Sequence, residues 1–242
     1  MIALHPDGRP LILAHRGASA HAEGNTLAAF RLAVAHGADG VELDVRFTAD
    51  DRVVVHHDPI VAGIGPLRSI DMATLRQVRP QIPTLDETLA VLPDPGFLIN
   101  VEIKNGSVDP GFDPSHRMAA TIVDWVTANH VKNRVLVTSF NADTMHAVRS
   151  ADATVDTGLL LDHRQPLRAA IPAVVAAGHG WVLPHHSRLL IAPRRKVAEC
   201  HEAALRVGIW TVDVGWRIGV LGRAGIDAVI TNDPRAGRAL YA

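Results

Sequence analysis

The chain has 242 residues, a formal net charge of -1 with neutral histidines, 48% hydrophobic and 20% charged residues. That length suits one α/β barrel domain of about 250 residues, and the composition supplies an ample core. Scattered basic residues argue against a nucleic-acid stripe or a polybasic membrane segment, and no apolar run reaches the ~18 residues a bilayer span needs.

In chain order, residues 11–14 read as a first strand. Residues 26–36 read as a helix, with Asn25 or Thr26 to cap it, Gly37 to stop it, and Leu27, Phe30 and Val34 on one face. Residues 40–46 form a second strand, and 53–55 fold back on its end as a hairpin. Residues 58–83 lack a sustained period and predict an insertion with one short helix near 72–78, too small for an independent core. Thr84 and Glu87 are spaced for a capping box on a helix running to about Val91.

The second half repeats one unit. Strands are expected at 97–103, 135–138, 157–161, 180–183, 209–213 and 228–230. The helices between and after them fall at 115–129, 142–149, 166–176, 193–207, 215–224 and 234–241, with Gly208 ending the fourth. About eight strand–helix units in this length predict a closed (β/α)8 TIM barrel with a short insertion after the second strand, one domain over 1–242. No GxGxxG follows the first strand, which weakens a dinucleotide-binding alternative. The single cysteine, Cys200, sits in a helical pattern and reads as a buried small hydrophobe. No signal-peptide pattern precedes residue 10, so the expected compartment is the cytoplasm.

In a barrel, functional groups gather where the strands end. His15 and Arg16 terminate the first strand, Glu42 and Asp44 alternate onto one side of the second, and Glu102 and Lys104 repeat that spacing on the third. Three carboxylates brought together need a strong positive field, and an all-oxygen set suits Mg2+ or Ca2+ better than zinc. Arg16 and Lys104 add charge suited to a phosphate, and His15 and His57 would supply acid and base near neutral pH. His56 competes with His57 for that role. Most of the 14 histidines read as surface or structural residues. Trp181, Trp210 and Trp216 fall near expected strand ends, where each either receives an apolar substituent or packs the core or rim.

Seven segments together resemble one family. HRG at 15–17, NTLAAF at 25–30, GADGVELDV at 37–45, VVHHD at 54–58 and VEIK at 101–104 are similar to the glycerophosphodiester phosphodiesterases. Residues 210–212 and 230–234 resemble that family's closing motifs. The resemblance implies a metal-dependent TIM barrel that splits glycerophosphodiesters into glycerol 3-phosphate and an alcohol, through a cyclic phosphate. It implies His15 and His57 as the acid–base pair, and Glu42, Asp44 and Glu102 as ligands of one divalent ion. Arg16, Lys104 and Trp210 fall on the phosphate and substrate side. The family histidine stands immediately before Asp, which favours His57 over His56. Two positions depart from the pattern: Gly24 where glutamate is common, and Asp213 where asparagine is usual. The competing readings are a phospholipase D-type enzyme acting on lysophospholipids and a non-catalytic glycerophosphodiester binder.

Overall fold

A computed structural model describes residues 2–93 and 95–241. Eight parallel strands close into a barrel: β1 (Leu11–His15), β2 (Gly40–Phe47), then, after three short antiparallel strands, β6 (Leu98–Ile103), β7 (Val135–Ser139), β8 (Asp156–Leu161), β9 (Trp181–Pro184), β10 (Arg206–Ile209) and β11 (Ala228–Thr231). The ring closes because β1 pairs with both β2 and β11. Helices α1 (Leu27–Ala35), α4 (Arg117–Ala128), α5 (Ala142–Ala151), α6 (Leu167–Ala176), α7 (Pro193–Glu202), α8 (Gly215–Gly222) and α9 (Pro234–Arg238) follow seven of the strands.

Alternation along each strand divides the core into an outer and an inner layer. Outward residues such as Val41, Leu43 and Val101 pack against helices in one large cluster, and Ile12, Val207 and Val229 do so in another. A third cluster fills the barrel interior with Leu11, Leu13, Leu98, Leu136, Trp181 and Leu183. Gly40 is required where β2 crosses β6, since a Cβ there would lie 2.3 Å from the Leu98 carbonyl oxygen.

The expected hairpin is present: β3 (Val53–Val55) pairs antiparallel with the end of β2. Beyond it lie a small hairpin of β4 (Ile60–Val61) and β5 (Gly65–Pro66), and the short helix α2 (Met72–Val78). Val61, Leu67, Ile70, Leu75 and Ile82 pack around Val54, so the insertion carries a small apolar cluster rooted on the barrel's own hairpin. The helix α3 (Leu85–Leu89) then starts on a complete capping box, with Thr84 and Glu87 each accepting from the other's backbone N–H.

The terminal helix ends at Arg238 rather than 241, and the largest difference from the sequence expectation lies between residues 203 and 213. The helix expected to reach residue 207 stops at Glu202, and β10 occupies residues 206–209 instead of 209–213. Ala204 adopts φ 58° and Leu205 N–H donates to Cys200 O at 2.9 Å, a left-handed helix end built on alanine rather than glycine. Gly208, expected as the stop, lies inside the strand. Cys200 is fully buried as expected, and burial pushes its thiol up to about 11.

Candidate active site

Register between neighbouring strands assembles the polar cluster. His15 lies beside Glu42, and Asp44 lies beside Glu102. Glu42 and Asp44 share the inner face of β2, so carboxylate oxygens of Glu42, Asp44 and Glu102 come within 4.8 Å of one another. All three residues are buried. Arg16 follows β1 with φ 56°, and Gly17 must be glycine because a Cβ would lie 2.6 Å from the Ala29 backbone. This tight turn aims the Arg16 guanidinium back at the cluster, Nε 3.2 Å from Asp44 Oδ2, while Arg16 N–H donates to Glu42 Oε2 at 3.1 Å. Lys104 Nζ lies 2.6 Å from Glu102 Oε1 and 3.2 Å from Asp44 Oδ1.

Two cations cannot hold three buried carboxylates fully ionised. Burial, reinforced by Asp44 and Glu102, raises Glu42 well above the usual carboxylate range. Burial likewise lifts Glu102 to about 7 against the pull of Lys104. Asp44 stays low because Lys104 and Arg16 outweigh its burial. Glu42 Oε1 is buried with no hydrogen-bond partner among the described residues. An unpartnered hard oxygen in an under-compensated carboxylate set fits a hard divalent cation, whose charge would bring all three down together.

The histidines flank this cluster. His15 Nε2 lies 3.9 Å from Glu42 Oε2, and its Nδ1 is 2.7 Å from Asn232 Oδ1. His57 Nδ1 is 2.7 Å from Asp58 Oδ1. Burial lowers both, helped by Arg16 at His15 and by Lys104 at His57. His15 and Arg16 line a cleft of about 620 Å³ with Asp213 and Asn232. His57 and Arg16 line a cavity of about 310 Å³ walled by Ile60, Val61 and Ile82 of the insertion. His57 also lines, with Glu102, Lys104 and Phe140, a further space of about 250 Å³, whereas His56 does not.

Seven of the eight expected site residues therefore meet at the mouth, and Trp210 stands apart. It sits just past β10, donates its indole N–H to Leu183 O at 2.8 Å, and packs edge-on against Phe140 at 5.2 Å. Phe140, which the sequence did not flag, is the ring that faces the cluster, with Lys104 Nζ 5.8 Å from its centroid. Trp181 is not at the rim: it starts β9 and fills the barrel interior, 1% exposed. Trp216 is exposed on α8. Sequence reading also passed over Asn25. Thr26 caps α1, leaving Asn25 to donate to Asp44 Oδ2 at 2.7 Å. A buried asparagine one residue before a cap was the available signal. Gly24 packs close to Arg16, its Cβ position 3.1 Å from Arg16 Cβ, and Glu23 lines the same cavity as Arg16 and His57.

The chain resembles known proteins over most of its length. The model of the glycerophosphoryl diester phosphodiesterase family matches residues 15–236. A glycerophosphodiester phosphodiesterase of Caldanaerobacter subterraneus subsp. tengcongensis is 29% identical over 93% of this chain and 95% of its own length. A probable glycerophosphodiester phosphodiesterase 1 of Mycobacterium tuberculosis is 32% identical over 73% of this chain and 74% of its own. Among solved structures, an Oleispira antarctica phosphodiesterase bound to sn-glycerol-3-phosphate superposes with a TM-score of 0.84 at 23% identity, covering 97% of this chain and 98% of that one. The Thermotoga maritima glycerophosphodiester phosphodiesterase gives 0.81 at 24% identity over 96% and 98%. The barrel is common to all of these structures, and the match from His15 at the end of β1 to Ala236 in α9 places the chain in the glycerophosphoryl diester phosphodiesterase family.

Proposed function

We propose that this protein hydrolyses glycerophosphodiesters by two-histidine acid–base chemistry beside a carboxylate-held divalent ion. Membership of the family over residues 15–236 makes it a glycerophosphodiester phosphodiesterase, a phosphoric diester hydrolase yielding glycerol 3-phosphate and an alcohol. The observation that carries the finer reading is that His15 lies 3.9 Å from Glu42 while His57 lines one space with Glu102 and Lys104, each imidazole with Nδ1 anchored.

Glu42, Asp44 and Glu102 would hold one Mg2+ or Ca2+, which when bound supplies Lewis-acid neutralisation of the phosphate oxygens. Arg16 and Lys104, freed from their carboxylate partners, bind the remaining phosphate charge. With Nδ1 of each imidazole engaged, Nε2 faces the reacting atoms. One histidine takes the proton of the glycerol 2-hydroxyl as its oxygen bonds to phosphorus. The other gives a proton to the departing alkoxide as the phosphorus–alcohol bond breaks. Water then opens the cyclic phosphate with the two roles exchanged. Phe140 on one side and Ile60 and Val61 of the insertion on the other give the spaces beside His57 apolar walls.

The test is release of glycerol 3-phosphate from glycerophosphocholine, followed with a coupled enzyme. EDTA should abolish turnover and Mg2+ or Ca2+ restore it. His57→Ala should lower kcat about 10²–10⁴-fold with the metal requirement unchanged. Turnover indifferent to EDTA would end the metal reading. Preference for lysophosphatidylcholine over glycerophosphocholine would redirect the assignment to lysophospholipids.

A further inference from the structure

At the mouth, three side chains form a directed chain of hydrogen bonds outside the carboxylate cluster. Asp213 Oδ1 accepts from the Asn232 backbone N–H at 2.8 Å and from Thr231 Oγ1 at 3.1 Å. Its Oδ2 accepts from Asn232 Nδ2 at 2.6 Å. Asn232 Oδ1 in turn lies 2.7 Å from His15 Nδ1 and accepts from Ser19 Oγ at 2.7 Å. Donor and acceptor chemistry allows one arrangement. A carboxylate only accepts, so the amide must present Nδ2 to Asp213 and its carbonyl oxygen to His15. With the amide reversed, two acceptors would meet at that 2.6 Å separation. A carbonyl oxygen facing His15 Nδ1 requires the proton there, which leaves a lone pair on Nε2, the nitrogen turned toward Glu42.

We infer that Asp213 and Asn232 are positioning residues that lock His15 as its Nδ1–H tautomer, so that His15 Nε2 is the proton acceptor in the ring-closing step. This rests on the reading of His15 as a proton-transfer group. The arrangement also gives Asp213 a task. As asparagine it could present Nδ2 to residue 232, the Asn232 amide would turn over, and His15 would be offered a donor in place of an acceptor. A tautomer-fixing partner of this kind acts on proton transfer rather than on substrate binding.

The experiment uses the full chain with Mg2+ and 15N-labelled histidine near pH 8, the His15 signals being assigned by their loss in His15→Gln. Asp213→Asn should move the His15 ring pattern from Nδ1–H to Nε2–H. It should also lower kcat about 10²–10³-fold while KM for glycerophosphocholine stays within about threefold. The exchange Asp213→Asn with Asn232→Asp restores an acceptor opposite His15 Nδ1 and a donor opposite residue 232. It should return both the tautomer and kcat, which a merely disruptive substitution would not do. An unchanged ring pattern and kcat in Asp213→Asn, or an exchange variant that stays in the Nε2–H form, overturns the inference. Full turnover in His15→Gln would instead remove the catalytic reading of His15, while the ring spectra would still report on the tautomer.

Discussion

The two ends of the barrel interior solve the same packing problem with opposite chemistry. Toward the strand starts, Leu11, Leu13, Leu98 and Trp181 close the interior with apolar side chains. At the strand ends, Glu42, Asp44 and Glu102 occupy equally buried positions that carry charge. β6 spans the gradient within five residues: Leu98, then Asn100 accepting from Thr138 Oγ1 at 2.8 Å, then Glu102. One end contributes stability through dispersion and desolvated surface, and the other gives some of it up to hold groups whose ionisation is unfavourable there. A single scaffold can do both because the inner residues of neighbouring strands stack in layers.

The largest effect should come from breaking the apolar end. Trp181→Ala should destabilise the fold by about 3–5 kcal/mol in urea unfolding, leaving the metal requirement of whatever protein remains folded unchanged. A shifted metal requirement would show that the two ends are coupled. Substitution at the mouth should do the reverse. Glu42→Gln removes a carboxylate that burial and two like charges disfavour. The metal-free protein should therefore gain roughly 1–3 kcal/mol, and the stabilisation that Mg2+ confers on the native chain should shrink. Thermal melts with and without Mg2+ decide this, and a less stable metal-free variant contradicts the contrast.

The smallest effect sharpens the comparison through histidine. His179, 6% exposed just before β9, bonds Thr157 Oγ1 at 3.0 Å and is lowered to about 4 by burial and by Arg149. Below the ordinary histidine value the unfolded chain takes up the proton first. The contribution of His179 is therefore complete above about pH 6.5 and is lost as pH falls toward 4. His179→Gln should flatten the stability–pH curve across that window by on the order of 1 kcal/mol, measured as the urea midpoint at several pH values. An unaltered curve would mean that other groups carry the acid sensitivity.

Most of the barrel was legible in the chain because alternation and helix caps are local. Thr84 with Glu87, the 53–55 hairpin and the helix near 72–78 all lie where spacing placed them. The miss at 203–209 has a local cause as well: a left-handed alanine gives no glycine signal, and Gly208 inside β10 gave a false one. For the tryptophans the sequence left the choice between core and rim open. A residue at a strand's beginning and one at its end look alike in sequence, and the structure settles Trp181 on the core side of that choice, filling the interior.

By itself the sequence determined the fold class and the residues of the mouth, because charged groups inside apolar strands have few neutral explanations and period two puts Glu42 and Asp44 on one face. Tertiary structure alone decided which atoms meet. Register set Asp44 beside Glu102 and His15 beside Glu42, and barrel closure brought Asn232 from β11's end to His15 across 217 residues of chain. Hydrogen-bond direction depends on such contacts between distant strands, and no local pattern of residues encodes them.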